Sequence, residues 1–228
     1  MKKHPFSFKK AHEIQRCLSR HIVSEDILPE RIRLVGGVDV AYFKDFSIGA
    51  AAVLDFDTLE LVESQIAICK TCFPYIPTLL SFREVMPTVM SIRKLRVQPD
   101  VFLVDAHGFA HPYRCGFASH LGLVLKSPTI GVAKTKLLGD IENRISTKDI
   151  SFISNRGEII GAAVTTIPES RPMYVSVGHM VSLKTSINIV KHCTKKSRIP
   201  KPILEAHETA TTEKRKINIS TTVKPIGK

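Results

Sequence analysis

The chain has 228 residues, 43% of them hydrophobic and 24% charged, a globular composition long enough for one domain with a sizeable core. No apolar run approaches the roughly 18 residues of a membrane span. MKKHPFSFKK at the N-terminus has no apolar stretch behind its lysines, so a cytoplasmic protein with no secretory leader and no membrane attachment is expected. The net charge of +12 is confined to the ends: residues 1–20 hold six Lys/Arg and one acid, residues 191–228 hold ten and three, and residues 21–190 hold seventeen of each. A neutral body with basic arms suits a polyanionic partner, nucleic acid before an anionic membrane surface. Five cysteines without a leader argue for reduced thiols. Cys69 and Cys72 have metal-ligand spacing, but no second pair completes a four-ligand site, so the motif is read as incidental.

Ile14, Leu18 and Ile22 recur at helical spacing, which predicts a helix over 8–24. Leu34–Phe43, Ile48–Phe56 and Leu59–Ile68 are rich in β-branched and apolar residues and are separated by Lys44-Asp45 and Asp57-Thr58, the pattern of an antiparallel meander. Pro74-Tyr75-Ile76-Pro77 follows, a tetrapeptide stiffened at both ends by proline. Phe82, Val85, Met86, Val89 and Ile92 then make a helical stripe interrupted by Pro87. Val101–Val104 and Thr129–Ala133 are short continuous apolar runs, as in strands buried on both faces. Helices are predicted over Gly116–Leu125 and Thr185–Cys193, and strands over Glu158–Thr166 and Met173–Val177. A meander followed by alternating strands and helices predicts an α/β fold, a mixed central sheet with helices on both faces. The expected division is a single catalytic domain over 1–207 and a basic, flexible C-terminal tail over 208–228.

Three acids stand out. Asp39 sits mid-strand between Val38 and Val40, where an unpaired carboxylate is costly, so a hydrogen-bond network, a basic residue or a metal must compensate it. Asp105 ends the buried strand 101–104, at the carboxyl edge where ligands of open α/β sheets gather; a helix N-cap is its other reading. Glu84 fits a capping box with Ser81, yet it also falls on the side of its helix away from the apolar stripe and so can face a groove. Two aspartates and a glutamate so placed are what Mg²⁺-assisted phosphodiester cleavage requires. Lys134 follows the buried strand 129–133 and is well placed to neutralise charge on a phosphate at the same edge. His107 and His111 come directly after Asp105, as substrate contacts or as members of a buried network.

Taken in order, these segments resemble the endonuclease V family of repair nucleases: GVDVAY (37–42), PYIPTLLSFRE (74–84), the long block PDVFLVDAHGFAHPYRCGFASHLGLVLKSPTIGVAKTKLLG (99–139), RPMYVSVGHMVSLKTS (171–186) and SRIPKPI (197–203). The resemblance runs from about residue 8 to about residue 205. It implies a ribonuclease H-like fold, a Mg²⁺ site (Mn²⁺ as a substitute) formed by Asp39, Glu84 and Asp105, catalytic roles for these three with Lys134, and a place near the active site for His179. It also implies action on DNA with deaminated bases, cutting the second phosphodiester bond 3′ to deoxyinosine to leave a 3′-hydroxyl and a 5′-phosphate; a monomer is expected. Pro74, Tyr75, Ile76 and Pro77 match the wedge that enters at the lesion, and Thr78, Leu80, Ala106 and His111 match positions of the base pocket. The sequence departs from the family pattern at Thr78 and Ala106, where glycine is usual, and both changes add a side chain beside the pocket. The alternatives are an endoribonuclease specific for inosine in RNA, and a nucleic-acid-binding protein that no longer cuts. Retention of all three acids and of Lys134 argues against the second.

Overall fold

A computed structural model describes residues 7–142, 147 and 149–222. Helix α1 (Phe8–Ser19) opens it, capped by Ser7, whose side chain accepts from the Lys10 amide. Its buried face is Ala11 and Gln15, while Ile14, taken from the sequence as core, is 46% exposed. The helical phase is thus one residue off the apolar stripe, because the amide of Gln15 finds hydrogen-bond partners inside the protein.

Strands β1 (Leu34–Phe43), β2 (Phe46–Asp55) and β3 (Leu61–Lys70) form the expected antiparallel meander, the last two starting and ending within about two residues of the predicted bounds. Helix α2 (Leu80–Ile92) follows, then β4 (Val101–Val104), α3 (Phe117–Leu125) and β5 (Thr129–Ala133). Strands β6 (Asp140–Glu142), β7 (Ile150–Asn155), β8 (Glu158–Val164) and β9 (Met173–His179) continue the sheet, and helices α4 (Leu183–His192) and α5 (Lys201–Thr222) close the chain. The nine strands of the described residues run in the order β3-β2-β1-β4-β5-β9-β8-β7-β6, with β4 parallel to β1 and β5 and the other pairs antiparallel.

Pleating sends alternate residues to opposite faces. Val38, Phe102 and Val104 pack under α2 and α3 with Val89, Ile92, Phe117 and Leu121. Val35, Leu103, Ile130 and Val132 pack under α4 and α5 with Ile187, Val190, Ile203 and Ala206. Two helices rest directly on strand backbone. A Cβ on Gly49 of β2 would lie 2.2 Å from the carbonyl oxygen of Pro87 in α2, and one on Gly37 of β1 would lie 1.9 Å from that of Pro202 in α5. Only glycine permits either approach; the Gly37 contact seats α5 on β1, the strand that carries Asp39, and the Gly49 contact seats α2 on the neighbouring β2. Met86, expected in the core stripe of α2, is 62% exposed; the buried side of that helix is instead Pro87, Thr88, Val89, Ser91 and Ile92.

The chain beyond 207 corrects the expectation of a flexible tail. It is helical to Thr222, and residues 223–228 lie outside the described residues. The stripe that anchors α5 is Ile203, Ala206 and Ala210, narrow and mostly alanine, so it leaves little apolar periodicity in the sequence. Among the described residues no helix is long and apolar enough to cross a membrane.

Candidate active site

The carboxyl ends of β1, β4 and β5 meet at one edge of the sheet. Asp39 shares the face of Val35 and Gly37, below α5, and its Oδ2 accepts from Nδ1 of His207 at 2.7 Å. Asp105 follows the last residue of β4, and Lys134, which follows β5, donates to it. Glu84 reaches the same region from α2, and the Tyr42 hydroxyl donates to its Oε1 at 2.8 Å. The Arg83 guanidinium lies over the Tyr42 ring at 4.1 Å and fixes that tyrosine.

Electrostatics shows that the three acids act on one another. Burial pushes the Glu84 carboxyl up to about 7, and the charges of Asp39 and Asp105 add to the rise. Asp105 is also raised, by burial first, with Asp39 adding and Lys134 opposing. Tyr42 is held protonated by burial and by the neighbouring Glu84 charge. As they stand, no three His, Cys, Asp or Glu side chains of the described residues close around a single point. Each carboxylate is engaged by its own donor instead: Asp39 by His207, Glu84 by Tyr42, Asp105 by Lys134. The donor set itself, three carboxylates in mutual repulsion, is that of a hard divalent cation.

Two clefts open on either side of this cluster. The first, about 320 Å³, is lined by Tyr75, Ile76, Pro77, Thr78, Leu80 and Ala106, with Asp105 and Lys134 at its end. His111 also borders it. Pro74 is exposed and is not part of the lining. Tyr75 projects at 70% exposure. The spur is rooted by Arg83, which donates to the Phe73 carbonyl at 2.7 Å, and by stacking of Phe73 on Phe82. Thr78 has φ +69°, a left-handed conformation that a β-branched residue tolerates poorly. Its carbonyl accepts from Gln15 Nε2 at 2.7 Å and from His111 Nε2 at 3.0 Å. Gln15 also reaches the Cys115 carbonyl at 3.2 Å. His111 accepts the Tyr113 amide on Nδ1, and burial lowers its pKa to about 4, so it stays neutral. The second cleft, about 480 Å³, lies between the end of β1 and α5, lined by Asp39, Tyr42, His207, Thr211, Lys214 and Arg215.

The structure therefore gathers Asp39, Glu84, Asp105 and Lys134 at one place, with the predicted pocket positions beside them. The capping-box reading of Glu84 does not hold: the N-cap is Leu79, without a side-chain cap, and Glu84 turns to Tyr42. Asp105 is not a helix cap either, since α3 starts after Gly116. His179 is a correction. It pairs in register with Thr129 at the start of β5, whereas Lys134 follows the far end of that strand, and its Nδ1 accepts the Val23 amide. It holds the segment after α1 rather than joining the carboxylates. Three residues were missed by sequence reasoning: His207, Gln15 and Tyr42. Tyr42 alone left a local signal, an aromatic three residues after Asp39 and hence on the opposite face of β1.

A family model described as Endonuclease V matches residues 16–208. The Endonuclease V of Thermofilum pendens is 42% identical over 207 residues, covering 90% of this chain and 88% of its own. That of Rippkaea orientalis is 41% identical over 219 residues, 95% of each. Among solved structures, the Bacillus subtilis Endonuclease V superposes with a TM-score of 0.87 at 29% identity, covering 96% of this chain and 97% of its own. The Ciona intestinalis Endonuclease V, crystallised with a 24mer DNA containing an inosine followed by a ribo-adenosine, superposes at 0.84 with 32% identity, covering 92% and 98%. The mixed sheet is thus the ribonuclease H-like fold, and the chain belongs to the Endonuclease V family of nucleases.

Proposed function

We propose that the protein is a Mg²⁺-dependent endonuclease that cuts the second phosphodiester bond 3′ to deoxyinosine in DNA, leaving a 3′-hydroxyl and a 5′-phosphate. The observation that carries the reading is the adjacency of the wedge-lined cleft to Asp105 and Lys134, which puts a base pocket and a phosphate-handling edge side by side. Mg²⁺, or Mn²⁺ in its place, held by Asp39, Glu84 and Asp105 would acidify the attacking water and offset charge on the leaving oxygen. Lys134 contributes a fixed positive charge at the edge, available to the phosphate once Asp105 is otherwise neutralised. His207 steadies the Asp39 carboxylate and presents a proton on the α5 side. Tyr75, exposed on a stiff and anchored spur, fills the gap left by an extruded base at little ordering cost. Lys214 and Arg215 line the second cleft and suit the backbone of the strand on the far side of the cut.

A specific observation also favours a second substrate, inosine in RNA: the Ciona relative was crystallised with a ribonucleotide directly after the inosine. Four matched end-labelled strands test both readings, DNA with and without one deoxyinosine and RNA with and without one inosine, each with Mg²⁺. A cut one nucleotide beyond deoxyinosine, in DNA alone, is the expected result. Preferential cutting of the RNA moves the function to RNA metabolism, and equal cutting of all four overturns inosine direction.

A further inference from the structure

Five buried side-chain atoms have no hydrogen-bond partner among the described residues, and two of them, Ser81 Oγ and His107 Nδ1, belong to residues lining the wedge cleft. A buried unpaired polar atom costs free energy, so a site that keeps two of them in one cleft wants a ligand for both.

Their hydrogen-bonding characters differ. Ser81 is 1% exposed and stands in the first turn of α2, where the N-cap Leu79 supplies no side-chain acceptor. Amide donors crowd that end of the helix, so a partner arriving there is matched if it accepts. His107 is fixed differently. Its Nε2 lies 2.9 Å from the Thr135 carbonyl, which only accepts, so Nε2 carries the proton and Nδ1 is left as a lone pair. The cleft thus offers a donor at Ser81 and an acceptor at His107.

We propose that Ser81 and His107 read the six-membered edge of the extruded base, Ser81 Oγ donating to the 6-oxygen and His107 Nδ1 accepting from N1–H. This rests on the inosine reading of the cleft. Hypoxanthine presents that acceptor and donor side by side, and adenine presents the reverse, a 6-amino donor and a bare N1. The hydroxyl can turn to suit either base, but the histidine tautomer cannot, so His107 discriminates more strongly. Guanine shares both groups with hypoxanthine, so this pair separates inosine from adenosine and leaves guanine to be refused by shape.

The test compares kcat/KM on strands carrying deoxyinosine, deoxynebularine (which lacks both the 6-oxygen and N1–H) or deoxyadenosine. The enzymes are the wild type, Ser81→Ala and His107→Phe, each with Mg²⁺. Each variant is expected to lose about tenfold more on deoxyinosine than on deoxynebularine, one hydrogen bond's worth of discrimination. Equal losses on both strands, or an unchanged ratio in both variants, overturn the proposal. If the wild type fails to prefer deoxyinosine over deoxyadenosine, the inosine reading falls and this pair with it; a wild-type preference that both variants retain sinks the pair alone. Melting separates recognition from support. Ser81→Ala removes an unpaired buried hydroxyl from a helix and is expected to keep or raise Tm, whereas a structural role predicts a lower one. Should His107→Phe fail to fold, Ser81→Ala still decides.

Discussion

The carboxylate edge and the wedge cleft share a wall at Asp105 but are stressed in different ways. At the edge the stress is electrostatic: three acids crowd together, and each is held by a donor from another element. In the cleft it is conformational. Thr78 is bent into a left-handed conformation and tied there through its carbonyl by Gln15 and His111, two side chains buried in the protein and neutral in the cleft's own chemistry. The difference teaches a division of labour. Under the proposed function, charge that lacks full compensation is poised for a cation and a phosphate, whereas the rigid, uncharged stretch of wall around Thr78 is suited to measuring the shape and hydrogen bonds of a base.

The comparison breaks most sharply at Asp105. Asp105→Asn keeps the side-chain volume and removes the charge, and cleavage is expected to fall by at least about 10³-fold while binding of the inosine strand persists. Single-turnover cleavage alongside a binding isotherm checks this, and near-normal cutting would remove Asp105 from the chemistry. A smaller effect concerns pH. The Glu84 carboxyl is raised in the folded protein, to about 7 from 4.5, so the folded state binds more protons than the unfolded state between these values. Stability is then fully present below about pH 4.5 and is lost as pH rises toward 7; Asp105, also raised, acts in the same direction. Melting of the cation-free protein is expected to drop by several degrees across that window. Glu84→Gln flattens the slope, and so does a saturating divalent cation. A slope identical in Glu84→Gln would assign it to other groups. The smallest effect belongs to the cleft: Thr78→Gly relieves a strained φ and is expected to stabilise by about 1 kcal/mol, read from a denaturant midpoint. A destabilised glycine variant would show that Thr78 carries packing worth more than its strain.

Legibility in the sequence followed the same physical lines. Asp39 was readable because it violates the local rule of an apolar strand, and Asp105 because it ends one at the carboxyl edge where ligands gather. The meander, β4 and β5 were readable for the opposite reason, since their apolar runs obey the rule. Strands β6 and β7 were not, being short or half-exposed at the far edge of the sheet. Gln15 was hidden by Ile14 and Leu18, which suggested the wrong face of α1, and its role depends on carbonyls 63 and 100 residues away. His207 was hidden because α5 binds the sheet through alanines and through the backbone contact at Gly37, neither of which leaves a hydrophobic stripe. His179 shows the converse: resemblance put it near the chemistry, and the antiparallel register of β9 carries it to the other end of β5.

The bond between Asp39 and His207 joins residues 168 apart in the chain. Closing so long a loop costs more chain entropy than forming the hairpin of β1 and β2, so this contact is expected to form after the hairpin. The meander and Asp39 within it are expected to take shape first, and His207 to reach Asp39 when α5 docks at Gly37. A chain that folds in this order holds the Asp39 carboxylate in place before it holds the imidazole that pairs with it.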